Sequence, residues 1–215
     1  MPRTGIILAG GQSRRMGRDK ASLTVNGTSL LSRVISRVCE VEDISELIIS
    51  HAKDQILPTD IQCEISLKTA ADFVQGEGPL IGIASALIQS TSTTNLIVGA
   101  DMPLVQPTLL NKLAEVLEET NPFAQESLPL WVLPKSDHIQ PLCSAISSKS
   151  LSIIKEAIQD SIRAPGQLIE SLNAIVLDEN SGQLPTLIGC LSGILTHQQI
   201  WNPQDWFELL SFKGS

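Results

Sequence analysis

Short, wholly apolar runs alternate along the chain with longer stretches in which apolar residues return every three or four positions. Ile6 to Leu8, Leu47-Ile48-Ile49 and Leu96-Ile97-Val98 are of the first kind, which suits strands covered on both faces. Three sets are of the second kind: Leu30, Leu31, Val34, Ile35 and Val38; Leu80, Ile83, Ala84, Leu87 and Ile88; and Leu109, Leu110, Leu113 and Leu117. Each predicts a helix with one buried stripe. Ser29 or Thr28 can cap the first helix, with Arg33 and Arg37 on its solvent face, while Pro79 and Pro107 suit the first turns of the other two. Ser22 to Val25 followed by Asn26-Gly27 predicts a short extended piece closed by a tight turn. Cys63 to Leu67 predicts a weaker strand, and Gly76-Glu77-Gly78-Pro79 a loop.

Strand, helix, strand, helix in succession specifies a parallel sheet with helices on both faces, whose ligands gather at the carboxyl ends of the strands. The second half is less regular. Leu130 to Leu133, Pro141 to Ile146 and Ala174 to Leu177 read as extended and Leu151 to Ile158 as a helix, so the sheet is expected to be mostly parallel and partly mixed. Asn202-Pro203 predicts the start of a closing helix, with Trp206, Leu209 and Leu210 as core. No linker or internal repeat is visible, and 215 residues with 42% hydrophobic content can form one domain, 1–215.

Composition narrows the function classes. No apolar run approaches the roughly 18 residues of a membrane span, and the N-terminal residues lack a signal peptide's hydrophobic region, so a cytoplasmic protein without a membrane role is expected. A net charge of −8 argues against general nucleic-acid binding. Cys39, Cys63, Cys143 and Cys190 are scattered singly, which predicts buried free thiols rather than zinc or disulfides, and His51, His138 and His197 are equally dispersed.

Charge is distributed unevenly. In the first twenty residues Arg3, Arg14, Arg15, Arg18 and Lys20 stand against Asp19 alone, five bases against one acid for a local +4; the remaining ten bases and 22 acids leave −12. A cationic patch on an acidic protein fits focusing of an anion. The patch lies on a glycine loop directly after the first strand, where Gly10 and Gly11 predict a turn with positive φ, close approach to a ligand and amide N–H groups aimed at phosphate oxygens. Arg15 and Lys20 would then neutralise charge building on departing pyrophosphate. The Gly-x-Gly-x-x-Gly spacing of a dinucleotide fold and the Gly-Lys-Ser/Thr end of a P-loop are both absent. Asp101 follows the strand Leu96 to Val98 and is a candidate Mg²⁺ ligand, because Mg²⁺ with a nucleotide takes one or two protein carboxylates; its alternative role is a turn or capping aspartate before Pro103.

Leu8 to Lys20 resembles, without a gap, the opening Leu-Ala-Gly-Gly-x-Ser-x-Arg-Met-Gly-x-Asp-Lys of the molybdenum cofactor guanylyltransferases. Asp101-Met102-Pro103-Leu104 resembles their second motif, and Gly78-Pro79-Leu80-Ile81-Gly82 a third, preceded by an aspartate that aligns with Asp72. The resemblance implies an α/β, Rossmann-like three-layer nucleotidyltransferase fold of the GT-A type. It implies a GTP- and Mg²⁺-binding half at 1–110 and an acceptor, or pterin, half at 111–215. Leu8, Ala9 and Gly10 with the neighbouring Gly11 would contact GTP, Lys20 its phosphates, Asp72 the nucleotide, and Asp101 the Mg²⁺ ion. The implied reaction is transfer of GMP from GTP to the phosphate of molybdopterin or its metal-loaded form, with transient contacts to cofactor-biosynthesis proteins and acceptor molybdoenzymes. A phosphate nucleophile is ionised at neutral pH and needs no general base. The resemblance loosens toward the C-terminus, where Asn202-Pro203 is what remains of the last family motif, and Ser50 stands where the family tends to have asparagine. A sugar phosphate acceptor, cytidylyl transfer and a non-catalytic GTP-binding protein are the alternatives.

Overall fold

The computed structural model describes residues 1–10, 20–74, 78–119 and 129–178. Its framework is a seven-stranded sheet in the order β5-β4-β1-β6-β8-β7-β9. The strands are β1 (Arg3–Leu8), β4 (Ile44–His51), β5 (Ser66–Ala71), β6 (Thr94–Gly99), β7 (Trp131–Lys135), β8 (Cys143–Ser147) and β9 (Ile175–Asp178). Pairing is parallel throughout β5-β4-β1-β6 and between β7 and β9, and antiparallel on both sides of β8. β8 alone among these strands therefore runs backwards, which is the mixed sheet the irregular second half predicts.

The apolar runs are buried on both faces because alternate residues serve two cores. Ile7, Leu47, Ile49, Leu96 and Val98 pack with helices α1 (Leu30–Cys39) and α3 (Pro107–Glu119). Ile6, Leu8, Ile48 and Ile97 pack on the opposite face with α2 (Pro79–Gln89) and α4 (Leu151–Gln159). Helix, sheet and helix make the three layers.

Local chemistry sets the element ends. β2 (Thr24–Val25) and β3 (Thr28–Ser29) form a hairpin across Asn26-Gly27, whose φ values of 51° and 79° are the left-handed pair that a two-residue turn requires. Ser29 then caps α1, its hydroxyl accepting from the Ser32 N–H at 3.1 Å, and Asp60 in turn accepts from the Ser29 N–H at 2.7 Å. Gly78, at φ 93°, turns the chain into Pro79, the first residue of α2.

Four expectations are corrected. The weak strand lies at Ser66–Ala71 rather than Cys63 to Leu67, because pairing runs in register with β4 from Glu46 opposite Ser66 to His51 opposite Ala71. As an edge strand it buries Ala70 alone, so it carries no apolar signature. Arg33 is not on the solvent face of α1: it is half-buried and donates from Nη2 to the Val25 carbonyl. Ile88 is not part of the α2 core stripe but 53% exposed. Arg3 does not belong with the loop cations, since it opens β1 and its guanidinium binds Glu118 at the amino edge of the sheet. The closing helix at Asn202-Pro203, with Trp206, Leu209 and Leu210, lies outside the described residues, as do Gly76 and Glu77.

Candidate active site

The carboxyl edge of β1 is where the site residues converge. β1 ends at Leu8, opposite Ser50 of β4 on one side and Gly99 of β6 on the other. The Ser50 carbonyl accepts from both the Ala9 and Gly10 N–H groups, at 2.8 and 3.1 Å, and the Leu8 carbonyl accepts from the Ala100 N–H at 3.0 Å. The glycine loop thus leaves the sheet pinned on both sides. Leu8 and Ala9 direct their side chains into the two cores, so at this edge they set the course of the backbone. The Ala9 carbonyl accepts from Gln55 Nε2 at 2.9 Å, and Gln55 Oε1 accepts from the Ala52 N–H at 3.0 Å.

Gly10 plays a different part from the one its sequence suggests. Its φ is not in the left-handed region, and its N–H is donated to Ser50 rather than left for a phosphate. Glycine leaves room there: a Cβ would lie 3.0 Å from Asp72 Oδ2 and 3.4 Å from the Ala52 nitrogen, crowding the carboxylate.

Two carboxylates flank the loop. Asp72 follows β5, its N–H donating to the His51 carbonyl at 2.9 Å and its Oδ1 accepting from the Ser50 hydroxyl at 3.0 Å. Burial raises the Asp72 carboxyl above the ordinary aspartate range, partly opposed by the Ser50 hydrogen bond and by His51. Gly82 of α2 closes the other side, for a Cβ there would meet Ser50 Oγ at 2.7 Å and Asp72 Oδ1 at 3.4 Å. Asp101 lies across β1 from Asp72, in the turn after β6 that the Met102 N–H closes onto the Gly99 carbonyl at 3.1 Å. A Cβ on Gly99 would stand 2.8 Å from Asp101 Oδ1, so the carboxylate folds over the end of its own strand.

The structure therefore brings together Leu8, Ala9, Gly10 and Asp72, and sets Asp101 on the neighbouring strand end. Gly11 and Arg15 lie outside the described residues, and Lys20 is placed by its backbone at the start of a short 3₁₀ turn, Lys20–Ser22. Gln55 and Gly82 carry parts of the arrangement that patterning does not reveal; the Gly-Pro-Leu-Ile-Gly segment, with a second glycine inside an otherwise apolar helix, is the one signal that points to Gly82. Among the described residues, no three His, Cys, Asp or Glu side chains cluster as a metal cage. The donor set at this edge is one or two hard carboxylates, which suits Mg²⁺ completed by phosphate and water and does not suit an all-protein zinc site.

Cys39 and Cys63 are free thiols as expected, but they are half-buried rather than buried and not scattered in space: their sulfurs lie 3.7 Å apart between the end of α1 and the loop before β5. Cys143 is free and buried, and Cys190 lies outside the described residues. No helix among the described residues is long and apolar enough to cross a membrane.

A mostly parallel α/β sheet with a glycine after β1 and carboxylates after β5 and β6 at the same edge fits one class, a nucleotidyltransferase of Rossmann-like fold. Residues 5–175 match the family model described as the MobA-like NTP transferase domain, and the chain belongs to that family. A relative from Pelotomaculum thermopropionicum named "Probable molybdenum cofactor guanylyltransferase" is 33% identical over 156 residues, covering 73% of this chain and 69% of the relative. The crystal structure of molybdopterin-guanine dinucleotide biosynthesis protein A from Archaeoglobus fulgidus shares the fold, with a TM-score of 0.70 at 20% identity over 95% of this chain and 98% of that one. The 4-diphosphocytidyl-2C-methyl-D-erythritol synthase of Anaerococcus prevotii shares it too, at a TM-score of 0.67 and 16% identity over 96% of each chain.

Proposed function

We propose that this protein transfers GMP from GTP to the terminal phosphate of molybdopterin or its metal-loaded form, giving molybdopterin guanine dinucleotide and pyrophosphate. The observation that carries the reading is the glycine loop leaving β1 between Asp72 and Asp101, in a chain whose relatives bear the guanylyltransferase name. A phosphate oxygen of the pterin attacks the α-phosphorus of GTP, a new P–O bond forms, and the bond to the β-phosphate oxygen breaks to release pyrophosphate. The nucleophile is already an anion, so the protein's task is to align two anions and neutralise charge rather than to remove a proton.

The main-chain groups of Leu8, Ala9 and Gly10 fix the level at which the nucleotide sits, and Asp72 addresses it from the β5 side. Gly11, Arg15 and Lys20 receive the phosphates, the two cations balancing the charge on the leaving pyrophosphate. Asp101 would hold Mg²⁺, which when bound supplies charge neutralisation on the phosphate oxygens. We assign the nucleotide to residues 1–110 and the pterin to residues 111–215. With GTP as donor and a labile pterin product, the reaction belongs to the cytoplasm and favours handover through transient contact with cofactor-biosynthesis proteins and acceptor molybdoenzymes.

The test is pyrophosphate release with Mg²⁺ and molybdopterin, run with GTP, CTP, ATP and UTP and with a sugar phosphate in place of the pterin. Release with GTP and molybdopterin alone is the expected result. Turnover with sugar phosphate but not molybdopterin, or with CTP in preference to GTP, would overturn the proposal, and GTP binding without release would make the protein a non-catalytic binder.

A further inference from the structure

Ser50 performs two tasks at once. Its backbone carbonyl pins the first two residues of the glycine loop, and its hydroxyl, on a residue 1% exposed, holds Asp72 Oδ1. The Asp72 carboxylate is otherwise fenced by two glycines: Oδ2 faces the Cα of Gly10, and Oδ1 lies beside the Cα of Gly82. Gly82 packs so closely on Ser50 that no side-chain carbon fits between them. These contacts leave the carboxylate little freedom to rotate, and one oxygen is directed toward the loop.

A carboxylate in that position repels phosphates and can only accept hydrogen bonds, so it addresses the nucleoside end of a nucleotide, where N–H and O–H donors are found. Resting on the proposed function for the identity of the nucleotide, we infer that Ser50 is a positioning residue. Its hydroxyl orients Asp72 as an acceptor for a nucleoside donor, while Gly82 keeps that hydroxyl in place. The donor is a base N–H or a ribose hydroxyl, and both share the same acceptor chemistry. The hydroxyl also favours the charged carboxylate, partly opposing the effect of burial.

The test measures equilibrium binding of GTP, ITP and 2′-deoxy-GTP by titration calorimetry to the intact protein and to Ser50→Ala, Asp72→Asn, Gly82→Ala and the Ser50→Ala/Asp72→Asn double variant, each checked by circular dichroism. Binding is read without turnover, so failure of guanylyl transfer to molybdopterin leaves the measurement intact. Ser50→Ala should raise the Kd for GTP about 3- to 10-fold, the worth of one hydrogen bond, and should add nothing in the Asp72→Asn background. Its acid limb of binding should also move to higher pH, since the carboxylate loses the group that keeps it charged. Gly82→Ala, which leaves the hydroxyl present but displaced, should weaken binding similarly and stands in if Ser50→Ala does not fold. If the donor is the guanine 2-amino group, discrimination of GTP over ITP falls in Ser50→Ala; if it is the ribose 2′-hydroxyl, discrimination over 2′-deoxy-GTP falls; loss of affinity with both unchanged assigns the donor to the base N1–H or the 3′-hydroxyl. An equal loss of affinity with Asp72 intact and in the Asp72→Asn background, or no loss in either, overturns the inference.

Discussion

Replacing Arg3 with alanine should cost stability and leave nucleotide binding alone. In the sequence Arg3 is one of the cations crowded around the glycine loop, yet β1 carries it to the opposite edge of the sheet, about 20 Å from Gly10 at the rise of an extended strand. There the guanidinium makes a two-pronged contact with Glu118, Nε to Oε1 at 2.9 Å and Nη2 to Oε2 at 2.8 Å. Nη1 donates to the Glu42 carbonyl and to Asn111 Oδ1, each at 3.2 Å. The side chains of the pair are 6% and 17% exposed. Truncation leaves the Glu118 carboxylate without its cation and the Glu42 carbonyl without the Arg3 donor, while Asn111 Oδ1 keeps the Glu42 N–H at 3.1 Å, and breaking a buried pair from one side costs about 3–5 kcal/mol. Water can reach Glu118, so the lower end, about 3 kcal/mol, is expected. In a chain of this size that lowers Tm by roughly 6–12 °C.

Urea denaturation followed by circular dichroism, with GTP titration on the same samples, checks both halves of the prediction. Glu118 adds a pH signature. Burial pushes its carboxyl up, but the hydrogen bonds and charge of Arg3 prevail and hold it below the ordinary glutamate range. A carboxyl lowered in the folded state contributes stability above its unfolded pKa, about 4.3, and that contribution is lost as pH falls through the folded value. The gap between wild type and Arg3→Ala should therefore narrow on acidification below about pH 4. A Tm change under about 2 °C together with several-fold weaker GTP binding would refute the reasoning and return Arg3 to the phosphate site.

Three further outcomes follow from other parts of the molecule. Asp101→Ala should reduce Mg²⁺-dependent turnover by at least about 100-fold while the melting curve shifts little, because the change removes the proposed Mg²⁺ ligand and no core; retention of most activity would overturn that assignment. Gly5→Ala should destabilise by about 1–3 kcal/mol in chemical denaturation, since the new Cβ would meet Leu47 Cδ2 and Val38 Cγ1 at 2.5 Å each. Burial, with the neighbouring Cys63 sulfur, pushes the Cys39 thiol up to about 12, so iodoacetamide at pH 8 should label it far more slowly in the folded protein than in urea. Because its folded pKa exceeds the ordinary 9.0, stability should also fall as pH rises from about 9 to 12, and a Cys39→Ser variant should lose that dependence.

The central strands and helices are legible in the sequence because both faces of β1, β4 and β6 are buried and each helix carries one apolar stripe. Ile6, Ile7 and Leu8 could hardly be anything but an interior strand, and Leu109, Leu110, Leu113 and Leu117 all reach the core as their spacing predicts. β5 is illegible for the opposite reason: an edge strand needs little hydrophobicity, and Ser66–Ala71 has little. Sequence spacing misleads about side-chain proximity wherever chain distance differs from spatial distance. Arg3 stands near the loop in sequence and far from it in space, whereas Cys39 and Cys63, in separate elements, touch. At the site, Gly10 and Asp101 are legible as strand-end residues because each follows an apolar strand. Asp72 is reached through the resemblance alone, and the Ser50 clamp on it is a tertiary contact between adjacent strands that no periodicity encodes.

Strand direction explains why the two edges of the sheet have separate work. At the amino edge Arg3 pairs with Glu118, and Thr4 and Glu46 join Ser92 and Lys68 in polar contacts that close the ends of β1, β4 and β5. That edge is sealed and holds the strands in register. At the carboxyl edge the parallel strands end in Gly10, Asp72 and Asp101. Because β8 runs backwards between β6 and β7, its beginning and the end of β7 meet at this same edge, carrying residues 136–142 and placing the Leu142 carbonyl on the Gly99 N–H at 2.8 Å. β9, parallel to β7, ends there also, with Asp178 3.1 Å from Lys135. A sheet that was parallel throughout would need a crossover back to the amino edge between these strands; the reversal instead turns the second half of the chain at the edge where we propose the nucleotide site. The acceptor side of the reaction is accordingly to be sought at 136–142, Lys135 and Asp178, and substitutions there should change the KM for the pterin before they change the KM for GTP.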